Sequence, residues 1–310
     1  MFKSPTICVG LDIGSNTISC TQVHRNEDGA IDVLNDASFP VRLSEGLSEG
    51  GELNPAAIER GLSALKEIVN NFDYHQSRSR AVGTAVLRMT AHPEAFTEPA
   101  EKILKTPIRI IDGLEEARLT AIGAVFGLPA REDWVVLDIG GQSTEISCLK
   151  PCGSLHSVSM PLGVVKVTER FFSSQTPSRD EQQQARQHVR DCLHKHLGDD
   201  IICGNLVCVG GTPTTLSLLV HKLAGWQRDK VHGDVISLAD TQAWFEKIVV
   251  IDAQTRIDQY GMRPMRADVF PAGILILDEI MQYFDFSSFT VSANGLRVGL
   301  AISTLESVSD

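Results

Sequence analysis

Four residues, Leu11-Asp12-Ile13-Gly14, recur in the second half of the chain as Leu137-Asp138-Ile139-Gly140. Each copy grows out of a short apolar run, Ile7-Cys8-Val9 in the first and Val135-Val136-Leu137 in the second. Runs of this length and β-branched character read as buried strands. Each copy also leads into small polar residues, Ser15-Asn16-Thr17 and, after Gly141, Ser143-Thr144-Glu145. Glycine lets main-chain amides approach a ligand closely. Amides, hydroxyls and a carboxylate at a strand end suit phosphate and a metal ion. A lone glycine turn would be an ordinary β-turn. The same four residues in the same local context point to a duplicated domain with a ligand between the halves.

The totals agree with two α/β domains. The chain has 310 residues, long for one core and sufficient for two. A net charge of −11 argues against a general nucleic-acid or membrane-surface binder, so neither is expected as a partner. A polyanionic substrate would need a local basic lining or metal ions. Seven cysteines without a C-x-x-C pair suit a reduced, cytoplasmic protein with buried thiols. Lys3 precedes an apolar run that Asp12 interrupts too early for a signal peptide. No stretch reaches the roughly 20 apolar residues needed to span a bilayer.

The pattern predicts strands over 6–12, 17–23 and 31–34, joined by tight turns, and a helix opened by Asn54-Pro55. A further strand over 80–86 places Arg88 just past its end, where open α/β sheets hold ligand groups. Asp112-Gly113 leads into a helix with Glu115 and Glu116 in its first turn, where carboxylates are favoured by the dipole. After Pro129 the three-strand pattern begins again. A strand over 206–209 runs into Gly210-Gly211-Thr212 and an apolar helix, an arrangement that favours bound anions. Residues 238–251 read as one helix and 261–268 as a loop with two arginines. The expected division is 1–128 and 129–310, with the last helix, about 296–310, able to pack back on the first domain.

Taken together the motifs resemble the exopolyphosphatase / guanosine pentaphosphate phosphohydrolase family, in its short two-domain form. The resemblance runs through G-L-D-I-G-S-N-T (10–17), G-T-A-V-L-R (83–88), D-G-L-E-E-A-R (112–118) and D-I-G-G-Q-S-T-E (138–145). It continues through P-L-G-V-V-K (161–166), V-G-G-T (209–212), R-A-D-V-F-P-A-G (266–273) and N-G-L-R-V-G (294–299). It implies an α/β fold of two duplicated ribonuclease-H-like domains of the actin, Hsp70 and sugar-kinase superfamily, with a cleft between them. It also implies Glu116 as the base that activates water and Arg88 as a phosphate-binding arginine. Asp138 and Glu145 match the acidic pair that holds Mg2+ or another divalent cation, and Asp12, the acid of the first phosphate loop, is the third expected metal ligand. Gly14, Ser15, Asn16, Gly140, Gly141, Ser143, Thr144, Gly210, Gly211 and Thr212 would wrap the phosphates.

The expected activity is exopolyphosphatase: hydrolysis of the terminal phosphate of polyphosphate. The motifs serve guanosine pentaphosphate hydrolysis equally. A sensor that binds polyphosphate or the alarmone without turnover is the alternative of another class. Its support is Gln142 in place of a usual third glycine and Val298 in place of a usual glutamate. Lys166 also stands where an arginine is common. The sequence is silent on oligomeric state, a homodimer being compatible with it.

Overall fold

The structure, a computed structural model, describes residues 7–47, 50–131, 133–150, 154–197 and 204–307. Lys3, Thr6, Cys152, Cys203 and residues 308–310 lie outside the described residues. The chain divides into two compact units, 1–123 with 295–310, and 124–294.

The first unit is built on five strands: β1 (Ile7–Ile13), β2 (Thr17–Arg25), β3 (Ile31–Pro40), β4 (Arg78–Gly83) and β5 (Ile108–Ile110). Their order is β3-β2-β1-β4-β5. The first three are antiparallel neighbours, as tight turns require. β4 and β5 join in parallel, reached through helices. Helix α1 (Pro55–Asn71) starts as the sequence predicts: Asn54 accepts a hydrogen bond from the Ala56 amide at 2.9 Å, and Pro55 takes the first position. After β4 the chain turns directly into α2 (Ala85–Met89), then α3 (Glu94–Leu104) and α4 (Gly113–Val125). Arg88 therefore stands on a short helix rather than past a longer strand. The C-terminal helix (Leu296–Glu306) belongs to this unit, where Ala301 and Leu305 are buried with Cys8 and Val23. It crosses α4 where Gly123 meets Gly295 and Gly299, an approach that leaves no room for a Cβ.

The second unit repeats the plan with β6 (Trp134–Ile139), β7 (Thr144–Leu149), β8 (Leu155–Met160), β9 (Asn205–Val209), β10 (Val235–Ser237) and β11 (Ser288–Val291). The order is β10-β11-β9-β6-β7-β8. Read from β8, the first five strands reproduce the first unit's order and directions, and β10 is an added antiparallel edge. Both units thus have the ribonuclease-H-like arrangement, and the duplication glimpsed in four residues extends to whole sheets. The helices are α5 (Val164–Phe171), α6 (Arg179–Leu197), α7 (Gly211–Val220), α8 (Arg228–Val231), α9 (Leu238–Ile248), α10 (Ala253–Tyr260), α11 (Pro264–Ala267) and α12 (Phe270–Tyr283). α12 is almost wholly buried, which explains its unbroken apolar sequence. The single helix expected over 238–251 ends early, because Asp252 caps a new one by accepting from the Thr255 amide at 2.7 Å. The expected loop at 261–268 contains the one-turn α11.

Cys8, Cys20, Cys192 and Cys208 are buried and Cys148 partly so, all as free thiols. Among the described residues no helix is long and apolar enough to cross a membrane.

Candidate active site

In the first unit three turns emerge side by side at the carboxyl ends of parallel strands, because Gly83 of β4 pairs with Ile13 of β1 and Ile110 of β5. The β1 turn is closed by Gly14 N–H donating to the Thr17 carbonyl at 3.0 Å. The Asn16 carbonyl accepts from the amides of Val41 and Arg42, and the Ser15 carbonyl from that of Ser44. Trans peptides are planar, so the N–H groups of Asn16 and Thr17 point away from those bonds. Asp12 stands opposite Ser19 across the β1–β2 pair. Its Oδ1 is buried with no hydrogen-bond partner. Burial raises its pKa to about 7 against the opposing pull of Arg297. Arg297 itself is held by Asp36, at 2.6 and 2.8 Å.

The β4 turn carries Arg88 on α2, and the β5 turn carries Glu116 on α4. Asp112 caps α4, its Oδ1 accepting from the Glu115 amide at 2.8 Å. Glu115 turns to Arg109. Glu116, its helical neighbour, faces another way and accepts from Arg88 Nη1 at 2.9 Å. Arg88 Nη1 also donates to the Ile111 carbonyl at 2.5 Å. The Glu116 side chain is 14% exposed and that of Arg88 28%, so both reach solvent from a sheltered position.

In the second unit the β6 turn repeats the first. Gly140 N–H donates to the Ser143 carbonyl at 2.9 Å. The carbonyls of Gly140 and Gly141 accept from Val164 and Val165 at the start of α5, both at 3.0 Å. By peptide planarity the amides of Gly141 and Gln142 face the other side. Asp138 pairs directly with Glu145, and Glu145 with Ser159, so the three lie in a row across β6, β7 and β8. Glu145 is 5% exposed and accepts from Ser159 Oγ at 2.7 Å. Beside this row β9 ends at Val209, Gly210 follows with a φ of 92° that favours glycine, and α7 begins at Gly211.

Two hydroxyls expected at the phosphates are turned elsewhere. Thr144 donates to the Leu162 carbonyl and is fully buried, because strand alternation puts it on the face opposite Glu145. Thr212 is buried with its hydroxyl against Gly273 of α12. Gln142 and Val298 are both buried.

One residue that sequence reasoning passed over joins the second unit's group. Arg266, on α11, lays its guanidinium over the bare Cα of Gly211. Burial and Arg263 hold its pKa below the usual arginine value, while Asp268 and Asp138 pull it upward. Its clue was the R-A-D-V-F-P-A-G motif, already noted as a string of residues without a role for the arginine.

Among the described residues no group of three His, Cys, Asp or Glu side chains is placed to hold a metal ion. Asp138 and Glu145 nonetheless fit one kind of site. Like charges directly opposite across a strand pair are unfavourable, and a cation between them would offset this. Mg2+ characteristically takes one or two carboxylates and completes its shell with water and substrate phosphate oxygens. Asp12 faces Ser19 instead and has no such partner acid in its strand pair.

A model of the Ppx/GppA phosphatase family matches residues 22–308, a span that includes Arg88, Glu116, Asp138, Glu145 and Arg266. The chain is also similar to the solved structure of the Aquifex aeolicus member of the Ppx/GppA family, with 26% identity, 99% of each chain covered and a TM-score of 0.83. An exopolyphosphatase-like protein matches at 24% identity over 99% of this chain and 100% of its own, with a TM-score of 0.90. An exopolyphosphatase from Cytophaga hutchinsonii matches at 22% identity over 97% and 98%, with a TM-score of 0.88.

Proposed function

We propose that this chain, which belongs to the Ppx/GppA phosphatase family and is a hydrolase of phosphoanhydride bonds, removes the terminal phosphate of inorganic polyphosphate by in-line attack of water. The observation that carries the reading is the Arg88–Glu116 pair, a carboxylate held at 2.9 Å by a cation at the mouth of the strand ends. Glu116 would take the proton from the attacking water, since a general base must sit within reach of that water. Arg88 is a planar fork suited to the oxygens of the phosphate under attack. In the first unit the amides of the β1 turn would bind phosphate; in the second unit the amides of the β6 turn, the start of α7 and Arg266 would do the same. Asp138 and Glu145 would hold Mg2+, which supplies charge neutralisation on the phosphate oxygens. Catalysis then rests on positioning and electrostatics, as phosphoryl transfer generally does.

Polyphosphate is favoured over guanosine pentaphosphate because the groups named here, main-chain amides and charged side chains, are ones that recognise phosphate oxygens. Orthophosphate release from long-chain polyphosphate and from guanosine pentaphosphate, each with Mg2+, tests the preference. A higher kcat/KM on polyphosphate is expected, with orthophosphate as the product. The reverse order would make the chain a guanosine pentaphosphate hydrolase.

A further inference from the structure

Arg256 is the largest fully buried side chain among the described residues, and its hydrogen bonds run to main-chain carbonyls. Nε donates to Ile248 at 3.0 Å, Nη1 to Ala267 at 2.6 Å and Nη2 to Gln175 at 2.6 Å. Ile248 is the last residue of α9 and Ala267 the last of α11. Carbonyls at helix ends lack intrahelical partners and carry the negative end of the dipole. One guanidinium therefore caps two helices from inside the fold and ties both to the segment before α6. The Gln175 side chain closes the arrangement by accepting from the Ala253 amide at 2.8 Å, at the start of the helix that bears Arg256.

Ala267 directly follows Arg266. α11 has only four residues and opens on an exposed proline, so it has little stability of its own. Its location is set by what grips its end. We propose that Arg256 is a positioning residue: by capping α11 it fixes the Arg266 guanidinium over Gly211, in register with the amides that bind phosphate. This inference rests on the assignment of Arg266 to phosphate binding. Lysine keeps the charge but cannot donate in three directions from one plane, so Arg256→Lys should loosen α11 without emptying the core.

The test is a double-mutant cycle between Arg256→Lys and Arg266→Ala, read as KM and kcat on long-chain polyphosphate with Mg2+ and as Kd for the same polymer. Val189→Ala, a core change in the same unit, serves as the control at comparable loss of stability. Pro264→Ala loosens α11 by a second route and does not depend on the folding of Arg256→Lys. The expected result is a rise in KM of about tenfold for Arg256→Lys and about threefold for Pro264→Ala, with kcat changed less. Both effects should shrink below about twofold in the Arg266→Ala background, and Val189→Ala should leave KM unmoved. Undiminished effects in the Arg266→Ala background, or an equal rise in the control, would overturn the positioning role while leaving the polyphosphatase reading intact. Unchanged Kd in Arg266→Ala itself would overturn the phosphate-binding role of Arg266 and the inference with it.

Discussion

The turns after β1 and β6 are copies of one device with different chemistry. Both close with the glycine amide donating three residues ahead, at 3.0 and 2.9 Å, but the carbonyls tied back into the protein are those of Ser15 and Asn16 in one and, one position earlier, of Gly140 and Gly141 in the other. Both place an aspartate two residues before that glycine. Across the hairpin, however, Asp12 faces Ser19 while Asp138 faces Glu145. One position in the partner strand thus separates a lone buried acid from a paired acidic row. The duplication preserved the backbone cradle and let the charge diverge. On the proposed reading, the copy with one acid would meet phosphate through its amides, and the copy with two would hold a divalent cation.

That comparison breaks most visibly at the aspartates. Asp138→Asn should lower kcat/KM by about 100-fold or more and raise the Mg2+ concentration needed for half-maximal rate, because a metal ion contributes several kcal/mol of charge stabilisation. Asp12→Asn should lower it by less than about tenfold with the Mg2+ requirement unchanged. Equal losses with an equal rise in the Mg2+ requirement would contradict this division between the copies.

A smaller effect separates the turns after β4 and β9. A methyl group at Gly211 would run into the Arg266 guanidinium, so Gly211→Ala should lower kcat/KM by about tenfold, mainly through KM. At Gly83 the added carbon meets the flexible tip of Leu87. Gly83→Ala should cost about 1–2 kcal/mol of stability, as overpacking does, with activity changed less than about twofold.

The remaining effect is a pH dependence of stability in the first copy. The folded-state pKa of Asp12, about 7, lies above its ordinary value of 3.8. The folded protein therefore keeps a proton that the unfolded chain has released. The stability this contributes is complete below about pH 4 and is lost as pH rises through 7. Urea denaturation of Asp12→Asn beside the wild type should show the variant gaining roughly 2–3 kcal/mol relative to the wild type between pH 5 and 8. A constant difference across that range would show that Asp12 titrates normally.

Much of this was legible in the residues. The repeated Leu-Asp-Ile-Gly marks equivalent strands, and the strand restart after Pro129 marks the second sheet. The acids at 116, 138 and 145 stand out by motif. Side-chain direction was harder to read. Thr144 and Thr212 look like phosphate ligands as letters, but strand alternation and helix packing turn both hydroxyls inward. Gln142 and Val298 stand out as departures from the family's usual residues, and only the structure shows that both are buried. Arg266 left no periodic signal, since a four-residue helix is too short to have one. Its partner Gly211 is distant in sequence and close only because α11 is capped from within.

The central claim is that Glu116 is the base of a phosphoanhydride hydrolase. The direct measurement is orthophosphate release from long-chain polyphosphate with Mg2+ by the wild type and by Glu116→Gln, with polymer binding measured on both. The account predicts release reduced by about 100-fold or more in the variant, within the range attributed to general-base catalysis, and Kd changed less than about threefold. Equal release by the two proteins would contradict it and place the base elsewhere.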